Sequence, residues 1–239
     1  MKSTCQKIMM LCVAALLVYS KTAAAGGNTD KYYAKKGIYV GPMVSVNSFS
    51  GDFDGNSLLL SQSAAFILPK VDSKAGFGIV LGYGDAISNT MGYAAEVSYA
   101  RSTHDITWLG AKSEAVYQCL AFDGRFYFLA DKPLQLYGIV GFGWPDGLEV
   151  KNGSATVSNA GVVTRDGDAK YSGVSIKAGG GIAFYLNRRL SISGGMAYRV
   201  REYNTVKEVG GNRSIHFGEM EEKISGNGLT LETGLRFTF

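Results

Sequence analysis

The stretch Leu229–Phe239 reads LTLETGLRFTF, and its apolar residues recur at every second position. Leu229, Leu231, Thr233, Leu235, Phe237 and Phe239 share one face, while Thr230, Glu232, Gly234, Arg236 and Thr238 share the other. A period of two is the repeat of a β-strand, whose successive side chains point to opposite faces. One face here is greasy, and the other carries both signs of charge. A transmembrane β-barrel satisfies both, with lipid outside and a polar lumen within. A regular strand that stops on Phe239 is expected of such a barrel.

The first residues read as an export signal. Lys2 and Lys7 precede an apolar run, Ile8 to Tyr19, and Ala23-Ala24-Ala25 before Gly26 fits a small-residue cleavage site. The run is shorter than the ~20 residues a helix needs to cross a bilayer. The expected organisation is a signal peptide over 1–25, an N-terminal periplasmic segment over 26–36 and a barrel over 37–239. Three of the 24 basic residues leave with the signal and none of the 20 acidic ones, so the exported chain is close to neutral. No nucleic-acid partner is expected of it. Cys5 and Cys12 leave as well; Cys119 remains alone, and no internal disulfide is expected. No exported segment approaches a transmembrane helix, so any span must be built of strands.

Seven further segments alternate like the last one: Gly37–Asn47, Ala75–Gly84, Met91–Arg101, Ala115–Leu129, Gln135–Trp144, Val174–Tyr185 and Leu190–Tyr203. Gln135–Trp144 is apolar on both faces, which leaves its phase open. The connections over 85–90, 130–134 and 187–189 are short, whereas those over 48–74, 102–114, 145–173 and 204–228 are long. Brief turns on one side and extended loops on the other are the rhythm of an up-and-down barrel. The expected fold is all-β: an eight-stranded antiparallel up-and-down transmembrane β-barrel with both termini on the periplasmic side. Pro42 cannot donate to a ladder, so it marks either a bulge or a misplaced first strand. Asn152-Gly153 and Asp166-Gly167 are hairpin signals. They either lengthen strands beyond the membrane or add two more, giving ten.

The outward alternation, the Gly-rich strands, the opening Gly37-Ile38-Tyr39-Val40-Gly41 and the final Phe239 resemble the small outer-membrane barrels. That family includes the membrane domain of outer membrane protein A, the X-type proteins and the opacity-like barrels of the porin family. The resemblance implies residence in the cell outer membrane, with outer-membrane lipids and lipopolysaccharide as surroundings. It implies that Leu235, Phe237 and Phe239 form the signal read by the outer-membrane assembly machinery. Larger members carry a peptidoglycan-binding domain after the barrel; none follows Phe239 here, so no anchoring to the cell wall is expected.

The inward face gathers Glu96, Asp123, Arg125, Lys177, Arg199, Arg201, Glu232 and Arg236. Eight strands enclose a lumen that side chains nearly fill, and charges at low dielectric must pair. Two readings follow: a salt-bridged plug, or a gate whose re-pairing opens a narrow path with a weak bias toward anions. Trp108, Trp144, Tyr99 and Tyr203 near the loop ends, with Tyr83, Phe128, Phe184 and Phe239 near the turn ends, match two interfacial girdles. His104 and His216 fall in long connections as solvated loop residues. They do not reproduce the histidine-to-serine spacing of barrel deacylases, so neither catalysis nor a cofactor is expected. Asp52-Phe53-Asp54-Gly55-Asn56 starts like a calcium loop but misplaces its glycine; it reads as a turn, and no metal site is expected. Leu58-Leu59-Leu60 and Phe66-Ile67-Leu68 are expected as exposed apolar patches that meet a partner or lipopolysaccharide, or pack the loop on itself. The expected role is structural or adhesin- and antigen-like, with a host or surface ligand met by the loops. The alternative is a narrow, porin-like channel for ions or very small solutes.

Overall fold

In the computed structural model of this protein the described residues are 36–55, 58–60, 65–108, 111–151, 154–158, 161–165, 168–209, 214–216 and 224–239. The expected signal peptide and nearly all of the segment over 26–36 lie outside them. Eight long strands follow one another: β1 Gly37–Asn47, β2 Lys74–Ala86, β3 Met91–Trp108, β4 Ala111–Phe128, β5 Leu134–Val150, β6 Asp168–Tyr185, β7 Leu190–Val209 and β8 Gly228–Thr238. Each pairs antiparallel with the next, and β8 pairs with β1, so the sheet closes on itself. A closed sheet has no unpaired edge, which is why it can lie in hydrocarbon. The all-β, up-and-down architecture expected from the alternation is the one observed.

Short turns join β2 to β3, β4 to β5 and β6 to β7 on one rim. In the last of these, Asn187 Oδ1 accepts the backbone N–H groups of Arg189 at 2.8 Å and Leu190 at 3.0 Å, an Asx turn. The Phe239 N–H donates to the Ile38 carbonyl at 3.0 Å, so the final residue sits on the rim where β1 begins. Pro42 brings no bulge: Tyr39 and Val40 on one side of it, and Met43 and Val44 on the other, meet β8 in one unbroken register. Its ring points outward, and the strands pass closely there, since a Cβ on Gly41 would collide with the Leu235 carbonyl.

β3 and β4 are 18 residues long, whereas a tilted strand crosses the membrane in about 9–11. The remainder stands above the bilayer, and the side-chain pattern records where water begins. On the outer face of β3, Tyr93, Val97 and Tyr99 are followed by exposed Arg101, Thr103 and Asp105. On its inner face, Glu96 and Ser98 give way to buried His104 and Ile106. Polar-in, apolar-out becomes apolar-in, polar-out. The connection expected over 102–114 is therefore mostly strand, which runs to Trp108 and resumes at Ala111.

β5 shows how its open phase is resolved. Gln135, Tyr137 and Ile139 point inward; beyond Trp144-Pro145 the inward residues are Asp146, Leu148 and Val150. The register shifts on both neighbours, between Cys119 and Ala121 of β4 and between Gly173 and Ser175 of β6. One extra residue in β5 is a bulge, and it reverses the parity of everything after it. A second irregularity, at Asn204 of β7, faces Ser172 and Gly173.

The outer mouth is closed by the chain itself. After β1 a strap turns back into the barrel, with Gly51 (φ 79°) and Gly55 (φ 88°) in the left-handed region that suits glycine. It buries Phe49 and Phe53, and a second pass buries Leu68 and Val71, against Ile106, Tyr117, Leu148, Tyr171, Tyr203 and Ile224. Phe53 meets Tyr171 and Tyr203 edge-on at 5.4 and 5.6 Å between ring centroids, a favoured aromatic geometry. Leu68, in a patch expected either to meet a partner or to pack the loop on itself, is part of this cap, while the side chains of Leu58–Leu60, Phe66 and Ile67 lie outside the described residues. Asp52 fits the expected turn: its Oδ2 accepts the Ser225 N–H at 2.6 Å and the Ser225 hydroxyl at 2.9 Å.

Beyond the ring, Ser154–Ser158 pairs with Gly161–Arg165, and this hairpin joins Ala65–Ile67 and Leu58–Leu60 in a separate four-stranded sheet. The hairpin lies outside the ring and adds no barrel strands. Asn152-Gly153 and Asp166-Gly167, which suggested it, lie outside the described residues.

Candidate functional site

Tyr39, Tyr127 and Tyr137, with Ala94, Ile139 and Ala183, form a floor at the turn rim. Above it runs a belt of charge. Glu96 accepts Arg125 Nε at 2.7 Å on one oxygen, and Arg236 Nε at 3.0 Å and the Tyr39 hydroxyl at 2.7 Å on the other. Arg125 lies 3.7 Å from Glu232, and its guanidinium stacks on Tyr137 at 4.4 Å. Lys177 Nζ donates to Glu232 at 2.6 Å and stands 2.9 Å from Asp123. Arg236, Glu96, Arg125, Glu232, Lys177 and Asp123 thus form one line of alternating sign. Such pairing is what makes burial of charge tolerable.

Between belt and cap sits a second cluster around Asp146, which is fully buried. It accepts the hydroxyls of Tyr117 at 2.9 Å and Tyr203 at 3.2 Å; Arg199 lies 3.5 Å and Arg201 3.9 Å away. Arg201 also stitches wall to strap. It donates to the carbonyls of Gly226 at 2.9 Å and Ser48 at 3.2 Å and lies against the Phe49 ring at 4.4 Å.

The gaps left in the lumen are small. One of about 20 Å³ lies among Tyr39, Tyr127, Tyr185 and Arg236, and another of about 10 Å³ lies beside Glu96, Asp123 and Glu232. A single water needs ~10–15 Å³, so these are spaces for one molecule each and not a path.

The eight charges expected inside all face the lumen. A ninth, Asp146, leaves no mark in the alternation: it directly follows Trp144-Pro145, where the period of two breaks, and only the bulge turns it inward. Five basic groups therefore face four acidic ones instead of three. Tyr203, expected in the outer girdle, is buried in the lumen, because above the bilayer aromatic residues pack inward. His104, expected to be solvated, is fully buried; it contacts the Ser102 hydroxyl and the Asp72 carbonyl, each at 2.7 Å. Tyr99, Trp144, Tyr83, Phe128, Phe184 and Phe239 are exposed on the outside of the wall, as girdle residues require. The side chains of Trp108 and His216 lie outside the described residues. Leu235, Phe237 and Phe239 face outward along β8.

Glu232→Ala leaves Lys177 with Asp123 and Arg125 with Glu96, so the loss sits at the low end for a broken buried pair, about 3 kcal/mol. It is read as the urea midpoint of the refolded barrel, and an unchanged midpoint contradicts it.

A family model described as outer membrane protein beta-barrel domain matches residues 10–238. No curated protein sequence matches the chain. Among solved structures it is similar to Neisserial surface protein A: 14% identity, 85% of this chain and 98% of that one covered, TM-score 0.50. It is similar to OprG of Pseudomonas aeruginosa at 10% identity, covering 88% and 99% of the two chains, TM-score 0.49. It is also similar to Ail, the attachment invasion locus protein of Yersinia pestis, at 14% identity, covering 85% and 100%, TM-score 0.40. These likenesses are of fold.

Proposed function

Because this chain belongs to the outer membrane protein β-barrel family and resides in the outer membrane, we propose that it is a closed surface barrel acting through its outer side. The family is not a catalytic one. The proposed role is structural or adhesin- and antigen-like, and the contacts belong to the wall and hairpins that rise above the membrane. The observation that carries this reading is the double closure of the lumen. A belt of paired charges fills the membrane half, and Phe49 and Phe53 seal the mouth from above. A channel would need both layers to part. The extension also gives the outer hairpins a stiff base, since β3 and β4 remain paired up to Trp108 and Ala111. We assign Leu235, Phe237 and Phe239, on the outer face of β8, to recognition by the assembly machinery, with lipid and lipopolysaccharide around the wall.

Refolded protein in a planar bilayer is expected to be silent. An epitope inserted between Ser158 and Gly161 is expected to bind antibody on intact cells. Steady single-channel steps would replace this reading with the narrow channel; labelling only after permeabilisation would turn the barrel over.

A further inference from the structure

The charges of the lumen do not balance. Five cations, Arg125, Lys177, Arg199, Arg201 and Arg236, face four carboxylates, Glu96, Asp123, Asp146 and Glu232, among the described residues. The belt matches three cations with three carboxylates. The excess therefore sits above it, where Arg199 and Arg201 share Asp146. An uncompensated charge at such depth is strongly disfavoured.

Arg199 is also incompletely used. Its Nη1 donates to Cys119 Sγ at 3.0 Å, Ser175 Oγ at 3.2 Å and the Tyr117 hydroxyl at 3.3 Å. Its Nε is buried and has no partner among the described residues, although the residue is only 4% exposed. Beside Arg199 lies a gap of about 10 Å³, walled by Ser45, Asn47, Ser98 and Thr230, with Glu232 on its lower side. Ser45 accepts from Asn47 Nδ2 at 3.3 Å, which leaves its own proton able to point into the gap. The Glu232 charge is already taken by Lys177 and Arg125.

We propose that this gap holds one small monovalent anion of the halide class, chloride being the abundant member, bound by Arg199 and the hydroxyls of Ser45 and Ser98. The ion makes the lumen neutral and satisfies the orphaned donor. Enclosed between the aromatic cap and the belt, it enters during folding and exchanges slowly. Protein refolded in sodium chloride, against protein refolded in sodium gluconate at equal ionic strength, tests this. At about ten times the Kd of the site, chloride is expected to raise the unfolding midpoint by about 3–6 °C. Arg199→Gln leaves Asp146 with Arg201 in a one-to-one pair and is expected to give equal midpoints in the two salts, while Arg199→Lys keeps a shift. If Arg199→Gln does not fold, the Ser45→Ala/Ser98→Ala double variant carries the test, and its shift is expected to fall by at least half. Equal midpoints for the unaltered protein, as when water alone fills the gap, overturn the proposal. So does a full chloride shift in Arg199→Gln or in the double serine variant.

Discussion

Glu96→Ala is expected to destabilise the barrel by about 3–5 kcal/mol, the cost of leaving the partners of a buried charge unpaired. Glu96 is 3% exposed and is the shared acceptor of Arg125, Arg236 and Tyr39. Its loss takes the nearest carboxylate from two guanidiniums at once. Arg125 keeps a 3.7 Å contact with Glu232, but Arg236 has no other carboxylate partner among the described residues. Total stabilities are of order 5–15 kcal/mol, so this is a large fraction of what holds the barrel. Urea unfolding in vesicles, followed by tryptophan fluorescence, reads it. A loss under about 1 kcal/mol would mean that the belt is exposed to water and is not the plug described above.

Asp146→Ala is expected to destabilise the barrel by about 3–5 kcal/mol as well. Among the described residues Asp146 is the carboxylate that Arg199 and Arg201 share, at 3.5 and 3.9 Å. Its loss strands both guanidiniums and takes the acceptor from the hydroxyls of Tyr117 and Tyr203. Deletion of Pro145 is expected to be far milder. It removes the extra residue of the bulge, so Asp146 follows Trp144 directly and the alternation from Gly143 runs on unbroken. Asp146, Leu148 and Val150 keep their inward face, and the deletion variant is expected to fold. Urea midpoints, with refolding yield read from the mobility shift of unheated samples on gels, compare the two. A deletion variant that does not refold would show that the bulge itself, and not the facing of the residues beyond it, is required.

The membrane half of this fold was legible because lipid imposes a simple rule on every strand that crosses it. Val97 and Tyr99, Phe122 and Phe126, and Ile176 and Ile182 must all face out. The residues between them must serve a lumen that tolerates charge. Eight of the nine charges that line it could be named from parity alone, since the bilayer fixes which face is which. The upper half obeys the opposite rule. Above Tyr99 the wall meets water on its outside and an aromatic core within, so Ile106, Leu148 and Tyr171 point inward. A template with apolar residues outward saw only loops there, and it placed His104 in solvent and Tyr203 in the girdle. The Gln135–Trp144 segment was ambiguous for a related reason. Its outer residues face lipid while Tyr137 and Ile139 build the lumen floor, so both faces are apolar.

By itself the sequence determined that this chain is exported, crosses the outer membrane with eight strands and carries paired charge inside them. Those properties follow from local alternation and from the solvent on either side of a strand. Only the tertiary structure decided that Asp146 joins the lumen, that Phe49 and Phe53 close it, and that the outer hairpins form their own sheet. Each of these depends on which residue of a neighbouring strand stands opposite. A bulge is defined by the ladders on both its sides, and a cap by the mouth it fills, so neither leaves a periodic mark on the chain that makes it.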